Sequence, residues 1–88
     1  MIQRKVTIKN SLGLHARPAV TLVQTASKFR SDIKIAKDDL EIDGKSILGV
    51  LMLAAEKGSE MLLKVDGDDE KEALEELIKL FESGFGED

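Results

Sequence analysis

The sequence predicts an α+β fold, a two-layer open-faced sandwich in the order β-α-β-β-α-β-α, with a four-stranded antiparallel sheet and three helices on one face. Three observations lead to this prediction. Apolar residues alternate in four short segments, as in strands that bury one face. They recur every three or four positions in two longer segments, as in amphipathic helices. A further dense apolar run lies between these segments and supplies the third helix.

The first strand leads into the first helix. Ile2, Val6 and Ile8 occupy alternate positions and predict the strand, which Ser11-Leu12-Gly13 interrupts. Pro18 stands early in the next segment, where a helix tolerates a residue without an N–H group. The buried face of this helix is predicted to consist of five residues at helical spacing, namely Ala19, Leu22, Val23, Ala26 and Phe29.

A β-hairpin comes next in the chain. Ile33 and Ile35 alternate before Asp38-Asp39, a pair that suits a tight turn. Leu40 and Ile42 then alternate after the turn. Two alternating segments separated by so short a connection predict antiparallel strands.

The dense apolar segment at residues 47–55 predicts the second helix. Ser46 directly precedes it and suits the N-cap position, where a hydroxyl oxygen accepts a bond from a free backbone N–H. Gly58 is expected to end this helix.

The fourth strand and the last helix complete the order. Met61, Leu63 and Val65 alternate, and residues 66–68 suit a turn. Negative charge then accumulates at residues 69–72, where it stabilises the positive end of a helix, and Gly84 suits its end. The apolar stripe of this helix is wide and consists of Ala73, Leu74, Leu77, Ile78, Leu80 and Phe81.

Composition limits the classes of function. The 88 residues form one predicted domain, 1–88, which is 42% hydrophobic and 34% charged and lacks cysteine, so thiolate chemistry and disulfides are excluded. The net charge of −4 argues against nucleic acid as a partner. No apolar run approaches the roughly 18 residues of a membrane span. We expect a cytoplasmic monomer that does not insert into membranes.

His15 is the sole histidine, and its position indicates phosphate chemistry. It directly precedes the first predicted helix, whose N-terminus gathers unpaired N–H groups and partial positive charge, a combination that attracts anions. Arg17 adds a guanidinium suited to phosphate oxygens. The residues alone leave other roles open for His15: a structural residue bonded to backbone, a metal ligand with carboxylates, or part of a small hydrolase.

Two motifs carry a resemblance to a known family. The run Gly13-Leu14-His15-Ala16-Arg17-Pro18-Ala19 is similar to the active-site signature of HPr, the histidine-containing phosphocarrier of the bacterial phosphoenolpyruvate-dependent phosphotransferase system. The run Gly44-Lys45-Ser46-Ile47-Leu48-Gly49-Val50-Leu51 resembles the regulatory-serine region of the same family, at a matching separation. The resemblance extends over essentially the whole chain.

The resemblance implies a phosphoryl relay without a cofactor or a metal. His15 would accept a phosphoryl group on Nδ1 from phosphorylated enzyme I and pass it to an enzyme IIA domain. Arg17 and the backbone N–H groups of Ala16 and Arg17 would hold the phosphoryl oxygens. Such a protein is a carrier with a phosphohistidine intermediate rather than a stand-alone catalyst.

Ser46 has two interpretations. A serine before a helix is most often an N-cap. The resemblance also implies phosphorylation by HPr kinase/phosphorylase in hosts that have this enzyme. The Gly44-Lys45-Ser46 triplet does not complete a nucleotide-binding P-loop, because Asp39 stands where that motif needs glycine.

The resemblance further implies a partner-docking surface on the first two helices, formed by Val20, Gln24, Ile47, Leu48, Leu51 and Met52. Ala54, where many sugar-system relatives have glycine, resembles the nitrogen-related NPr branch, so the branch stays open. A second functional class is a regulatory binding module that acts through Ser46 or docking without a relay. The presence of His15 argues against that alternative.

Overall fold

Four antiparallel strands form one sheet in the computed structural model, which describes residues 1–87. The sheet order is β1-β4-β2-β3, so β1 and β2 both pair with the central strand β4. The element order confirms the predicted β-α-β-β-α-β-α sequence. The strands are β1 (Ile2–Thr7), β2 (Asp32–Lys37), β3 (Leu40–Asp43) and β4 (Glu60–Asp66).

The strand register places most of the predicted apolar positions on one buried face, although Leu40 at the start of β3 is exposed. Ile35 lies opposite Ile42 on β3 and opposite Leu63 on β4, while Ile33 lies opposite Val65. All five side chains are buried. Burial of each such side chain contributes about 1.5–3 kcal/mol, so this face provides much of the sheet's stabilisation.

Three helices cover that face, as the sequence predicted. They are α1 (Ala16–Ala26), α2 (Ile47–Met52) and α3 (Glu70–Glu82), and α1 packs against both of the others. The aliphatic core between the layers is nearly free of aromatic rings. Its largest fully buried helical side chains are Leu22, Val50, Leu77 and Phe81.

The first helix is shorter than its apolar pattern indicated. It ends at Ala26. The chain then forms a tighter turn with 3₁₀-type hydrogen bonding, in which the N–H of Phe29 donates to the Ala26 carbonyl three residues earlier at 3.2 Å. Phe29 is half-buried and still packs against the core. The periodicity thus predicted its contact with the core correctly and its helical conformation wrongly.

The predicted length of α2 was also wrong. Ser46 is its N-cap as predicted, but the helix ends at Met52 and does not extend to residue 55. Ala54 takes a left-handed φ of +48°, which a continuing helix does not permit. Gly58, with φ +90°, lies in the turn before β4 and does not end the helix.

The chain folds back after α3, close to the start of α1. Gly84 takes φ +63° at the predicted end of α3 and begins a short 3₁₀ turn, Gly84–Gly86. Phe85 in this turn makes an edge-to-face contact with Phe81, with ring centroids 5.0 Å apart. A Cβ atom added at Gly84 would lie 3.5 Å from the Cβ of Asn10. The turn therefore brings Glu87 towards the loop that precedes α1.

No helix in the described part of the chain has the length and apolarity that crossing a membrane requires.

Candidate functional site

The loop before α1 is held against the segment that follows α2. Gly13 adopts φ +69° and lies so close to this segment that a Cβ atom would overlap the carbonyl oxygen of Ala55. The neighbouring N–H of Leu14 donates to the same carbonyl at 2.9 Å, and the Leu14 side chain is buried. Only glycine satisfies both the backbone conformation and the close approach. These contacts fix the backbone from which His15 projects.

His15 is the N-cap residue of α1. Its backbone is extended, with φ −76° and ψ −172°, and its carbonyl accepts the first helical bond from the Ala19 N–H at 3.0 Å. The imidazole ring makes no capping bond, so it leaves the free N–H groups of the first turn uncapped. The ring is 37% exposed, which leaves it accessible to a second protein.

The carboxylate of Glu87 binds one nitrogen of this ring. Its Oε1 and Oε2 atoms lie 3.0 and 3.1 Å from Nε2 of His15, although the two residues are 72 positions apart. An ionised carboxylate can only accept hydrogen bonds, so Nε2 must carry the proton. The neutral ring then has its lone pair on Nδ1, for which residues 1–87 show no hydrogen bond.

Asn10 holds both the loop and the carboxylate. It is fully buried, and its Nδ2 group donates to the Gly13 carbonyl at 2.8 Å and to Oε1 of Glu87 at 3.1 Å. Its Oδ1 atom is buried without a hydrogen-bond partner in the described structure. The amide therefore joins the His15 loop to the residue that binds the ring.

Arg17 lies in the first turn of α1, two residues after His15, and is exposed. Its guanidinium forms no ion pair with a residue in the range 1–87, so it is available for a ligand. A guanidinium, a helix N-terminus and an accessible imidazole thus occupy one end of α1. Chemically, an imidazole can serve as a nucleophile, and a guanidinium beside a helix N-terminus can bind the oxygens of a phosphoryl group.

Ser46 functions as the helix cap that its position predicted. Its Oγ atom accepts a bond from the N–H of Gly49 at 3.0 Å. The residue is half-buried, and its side chain stands at the beginning of α2, the helix that packs beside α1.

The six residues predicted for docking all lie on the exposed sides of α1 and α2, at Val20, Gln24, Ile47, Leu48, Leu51 and Met52. Leu12, in the loop before His15, is also exposed and was not among the predicted residues. We call these seven residues the α1–α2 patch. Within residues 1–87, no group of three His, Asp or Glu side chains is placed to bind a metal ion.

Comparison with known proteins agrees with this geometry. The family model described as "PTS HPr component phosphorylation site" matches residues 2–83. The chain is 48% identical over 87 residues to the phosphocarrier protein HPr of Cupriavidus necator, covering 99% of this chain and 98% of that protein. The chain belongs to the HPr family. It is therefore a phosphocarrier of the phosphotransferase system, which confirms the resemblance recognised in the sequence.

Other members of the HPr family show how far the similarity extends. A crystal structure of HPr from Thermoanaerobacter tengcongensis matches with a TM-score of 0.96 and 48% identity, and covers 100% of this chain and 99% of that one. The phosphocarrier protein NPr of Proteus mirabilis is 44% identical over 86 residues, covering 97% of this chain and 96% of that protein. Both HPr and NPr proteins are thus similar to this chain over nearly its full length.

Sequence reasoning missed Asn10 and Glu87 as parts of the site. Neither lies in the motif around His15, and Glu87 is one of many acidic residues in an acidic chain. The only signal in the sequence was the pair of glycines after α3, Gly84 and Gly86, which marks a turn but not its direction.

Proposed function

We propose that Nδ1 of His15 accepts a phosphoryl group from phosphorylated enzyme I and passes it to an enzyme IIA domain. The observation that carries this proposal is the bond from Nε2–H to Glu87, because it leaves the lone pair on Nδ1. In the first transfer this lone pair forms a bond to phosphorus while the bond to the donor atom of enzyme I breaks. In the second transfer the new N–P bond breaks and its electron pair returns to the ring.

Arg17 and the start of α1 stabilise the transferred group. Ala16 and Arg17 are the first residues of α1, and we expect the Arg17 guanidinium and these two N–H groups to bind the negatively charged phosphoryl oxygens. The site is open, and a carrier must release its phosphate as readily as it gains it. We therefore propose that enzyme I and enzyme IIA supply the remaining stabilisation of each transition state.

The α1–α2 patch is proposed as the docking surface for both partners. It presents six exposed apolar side chains on α1, on α2 and in the loop before His15, and exposed apolar surface of this kind marks interaction sites. The carrier acts as a monomer in this proposal, since the patch must stay open for its partners. Because it shuttles between them, we place it in the cytoplasm.

Ser46 is proposed as a regulatory phosphorylation site for HPr kinase/phosphorylase. A phosphate there would add about −1.5 to −2 charges at the start of α2. The charge would stand beside Ile47 and Leu48 of the α1–α2 patch, where an apolar partner surface would have to cover it. We expect such a modification to weaken docking without unfolding the protein.

The proposed relay is tested by incubating the protein with phosphoenolpyruvate and enzyme I, using enzyme I of the sugar branch and of the nitrogen branch in separate reactions. We expect one added phosphate by mass spectrometry, lost in acid and absent from His15→Ala. Retention of the wild-type circular dichroism spectrum by His15→Ala would show that folding is intact. The faster enzyme I would identify the branch, and absence of transfer from both would refute the relay.

A further inference from the structure

We propose that Glu87 is a positioning residue for phosphoryl transfer, which holds the proton on Nε2 of His15 and stabilises positive charge in the ring as Nδ1 gains the phosphoryl group. This inference rests on the proposed function of His15 and extends the reacting site to the far end of the chain. Both carboxylate oxygens lie within 3.1 Å of Nε2. The contact is therefore made with the ring nitrogen opposite the one that reacts.

The structure places this carboxylate in a defined position. Its side chain is only 17% exposed, which is unusual for an acidic residue that has no structural partner besides Asn10 and His15 among residues 1–87. Phe85 reaches Phe81 from a left-handed backbone with φ +58°, a conformation that costs energy for a bulky residue. The packing of the aromatic pair thus fixes the turn that delivers Glu87.

Asn10 explains how the contact is aligned with the loop. Its two Nδ2 protons go to the Gly13 carbonyl and to Oε1 of Glu87, so one buried amide spans the loop and the carboxylate. A hydrogen bond to Asn10 also restricts rotation of the carboxylate about its side chain. Glu87 therefore meets the Nε2 side of the imidazole ring in an orientation that Asn10 helps to fix.

The chemical consequence follows from the electron balance of the transfer. The Nδ1 lone pair forms the N–P bond, the leaving atom of the donor keeps the electron pair of the broken bond, and the Nε2 proton stays in place. The ring becomes positively charged, and the carboxylate at Nε2 stabilises that charge, as an orienting carboxylate does for a catalytic imidazole. Hydrogen bonds to charged groups are worth enough to change a rate by about tenfold or more.

The test compares Glu87→Ala and Glu87→Gln with Glu82→Ala in the full-length chain. Glu82 is an exposed residue near the end of α3, so its substitution removes the same charge without touching His15. In single-turnover reactions with phosphorylated enzyme I, we expect Glu87→Ala to transfer about tenfold more slowly at saturation, with unchanged KM. Glu87→Gln keeps an acceptor oxygen and should restore part of the rate, while Glu82→Ala should match the wild type.

An NMR measurement tests the positioning role of Glu87 separately from the proposed phosphoryl relay at His15. The Nε2 proton of His15 should be detectable by NMR in unphosphorylated wild type and in Glu87→Gln, and lost to solvent exchange in Glu87→Ala. Wild-type rates in Glu87→Ala, or equal slowing in Glu82→Ala, would overturn the positioning role. If wild type gains no phosphate on His15, the relay fails, and the proton signal still reports whether Glu87 holds the ring.

Asn10→Asp supplies an independent probe of the same contact. A carboxylate at residue 10 would face both the Gly13 carbonyl and Glu87, so it should repel Glu87 from the ring. We expect it to slow transfer as much as Glu87→Ala, and the double variant to be no slower than either single one. If the fold-loss of rate in the double variant equals the product of the losses in the two single variants, the two residues act separately. That result would refute the role assigned to Asn10.

Discussion

The N–H of Leu14 donates a 2.9 Å hydrogen bond to the carbonyl oxygen of Ala55, and this bond joins the loop that carries His15 to the segment after α2. His15 and α2 are therefore fixed in relation to each other by a bond between backbone groups. Gly13 makes this possible, because its missing Cβ leaves room for the same carbonyl. The proposed relay depends on this arrangement at several points that can be tested separately.

Gly13→Ala should lower the free energy of unfolding by more than the positive φ of Gly13 alone would explain. A left-handed conformation costs a non-glycine residue about 1–2 kcal/mol, and overlap with the Ala55 carbonyl adds about 1–3 kcal/mol. Gly58→Ala is the matched control, because Gly58 also has positive φ but nothing lies within 4 Å of its added Cβ. Urea unfolding measures both, and equal losses in the two variants would contradict the close approach at Gly13.

Arg17→Ala should slow phosphoryl transfer to His15 by about 10²-fold, the typical loss when one preorganised charge-stabilising donor is removed. The thermal midpoint should stay near the wild-type value, because the side chain is exposed and has no ion pair within residues 1–87. Arg30→Ala removes the same charge from an exposed position outside the site and should transfer normally. Rapid-quench kinetics with phosphorylated enzyme I would measure these rates. A similar rate for both variants would exclude a specific role for Arg17.

Leu48→Ser should raise the KM for enzyme I by about tenfold while leaving the saturated rate of transfer unchanged. Leu48 is 71% exposed in the α1–α2 patch, so its apolar surface contributes to docking and little to folding. Leu40→Ser is the control, since Leu40 is an exposed leucine in the β2–β3 hairpin. A greater effect on KM from the hairpin variant would place the docking surface elsewhere.

The variants Ser46→Ala and Ser46→Asp should distinguish the role of Ser46 as a helix cap from its proposed role as a regulatory site. Alanine removes the acceptor for the Gly49 N–H and should lower the free energy of unfolding by about 0.5–2 kcal/mol. Aspartate keeps a capping oxygen and should be close to wild type in stability, but its charge should raise the KM for enzyme I. Thermal unfolding and steady-state transfer measured together test this, and a normal KM for Ser46→Asp would contradict charge-based regulation.

Asp69 should contribute a pH-dependent part of the stability. The pKa of its carboxyl is held below its ordinary value of 3.8, first by the Ser31 hydroxyl and then by the Arg30 and Ser31 N–H groups. Because the folded pKa is the lower one, this stabilisation is complete above about pH 4 and is lost as the pH falls through the folded pKa. Asp69→Asn should therefore be less stable than wild type at neutral pH, and the difference should shrink in acid.

Acid titrations of unfolding would measure that difference, with Asp68→Asn as the control because Asp68 is exposed and precedes the same helix. A gap between wild type and Asp69→Asn that stays constant from pH 7 to below pH 3 would exclude the carboxylate as its source.

Local pattern was enough to predict most of the fold. Period-two alternation identified all four strands, and their register buries Ile33, Ile35, Ile42 and their neighbours as expected. The errors fell at helix ends, at Phe29 and at residues 53–58. Those helix ends are set by local backbone conformation, such as the left-handed φ of Ala54. The spacing of apolar residues does not encode that conformation.

The sequence by itself determined the family, the element order, and the placement of His15 and Arg17 at a helix start, because these follow from short-range spacing and a contiguous motif. Only the tertiary structure decided that Glu87 meets Nε2 of His15 and that Asn10 aligns it. These contacts join residues more than 70 positions apart through a fully buried amide and a turn of positive-φ residues. Such contacts depend on how the helices pack on the sheet. Hydrophobic periodicity reports only which face of each element is buried, so it does not show which distant residues meet.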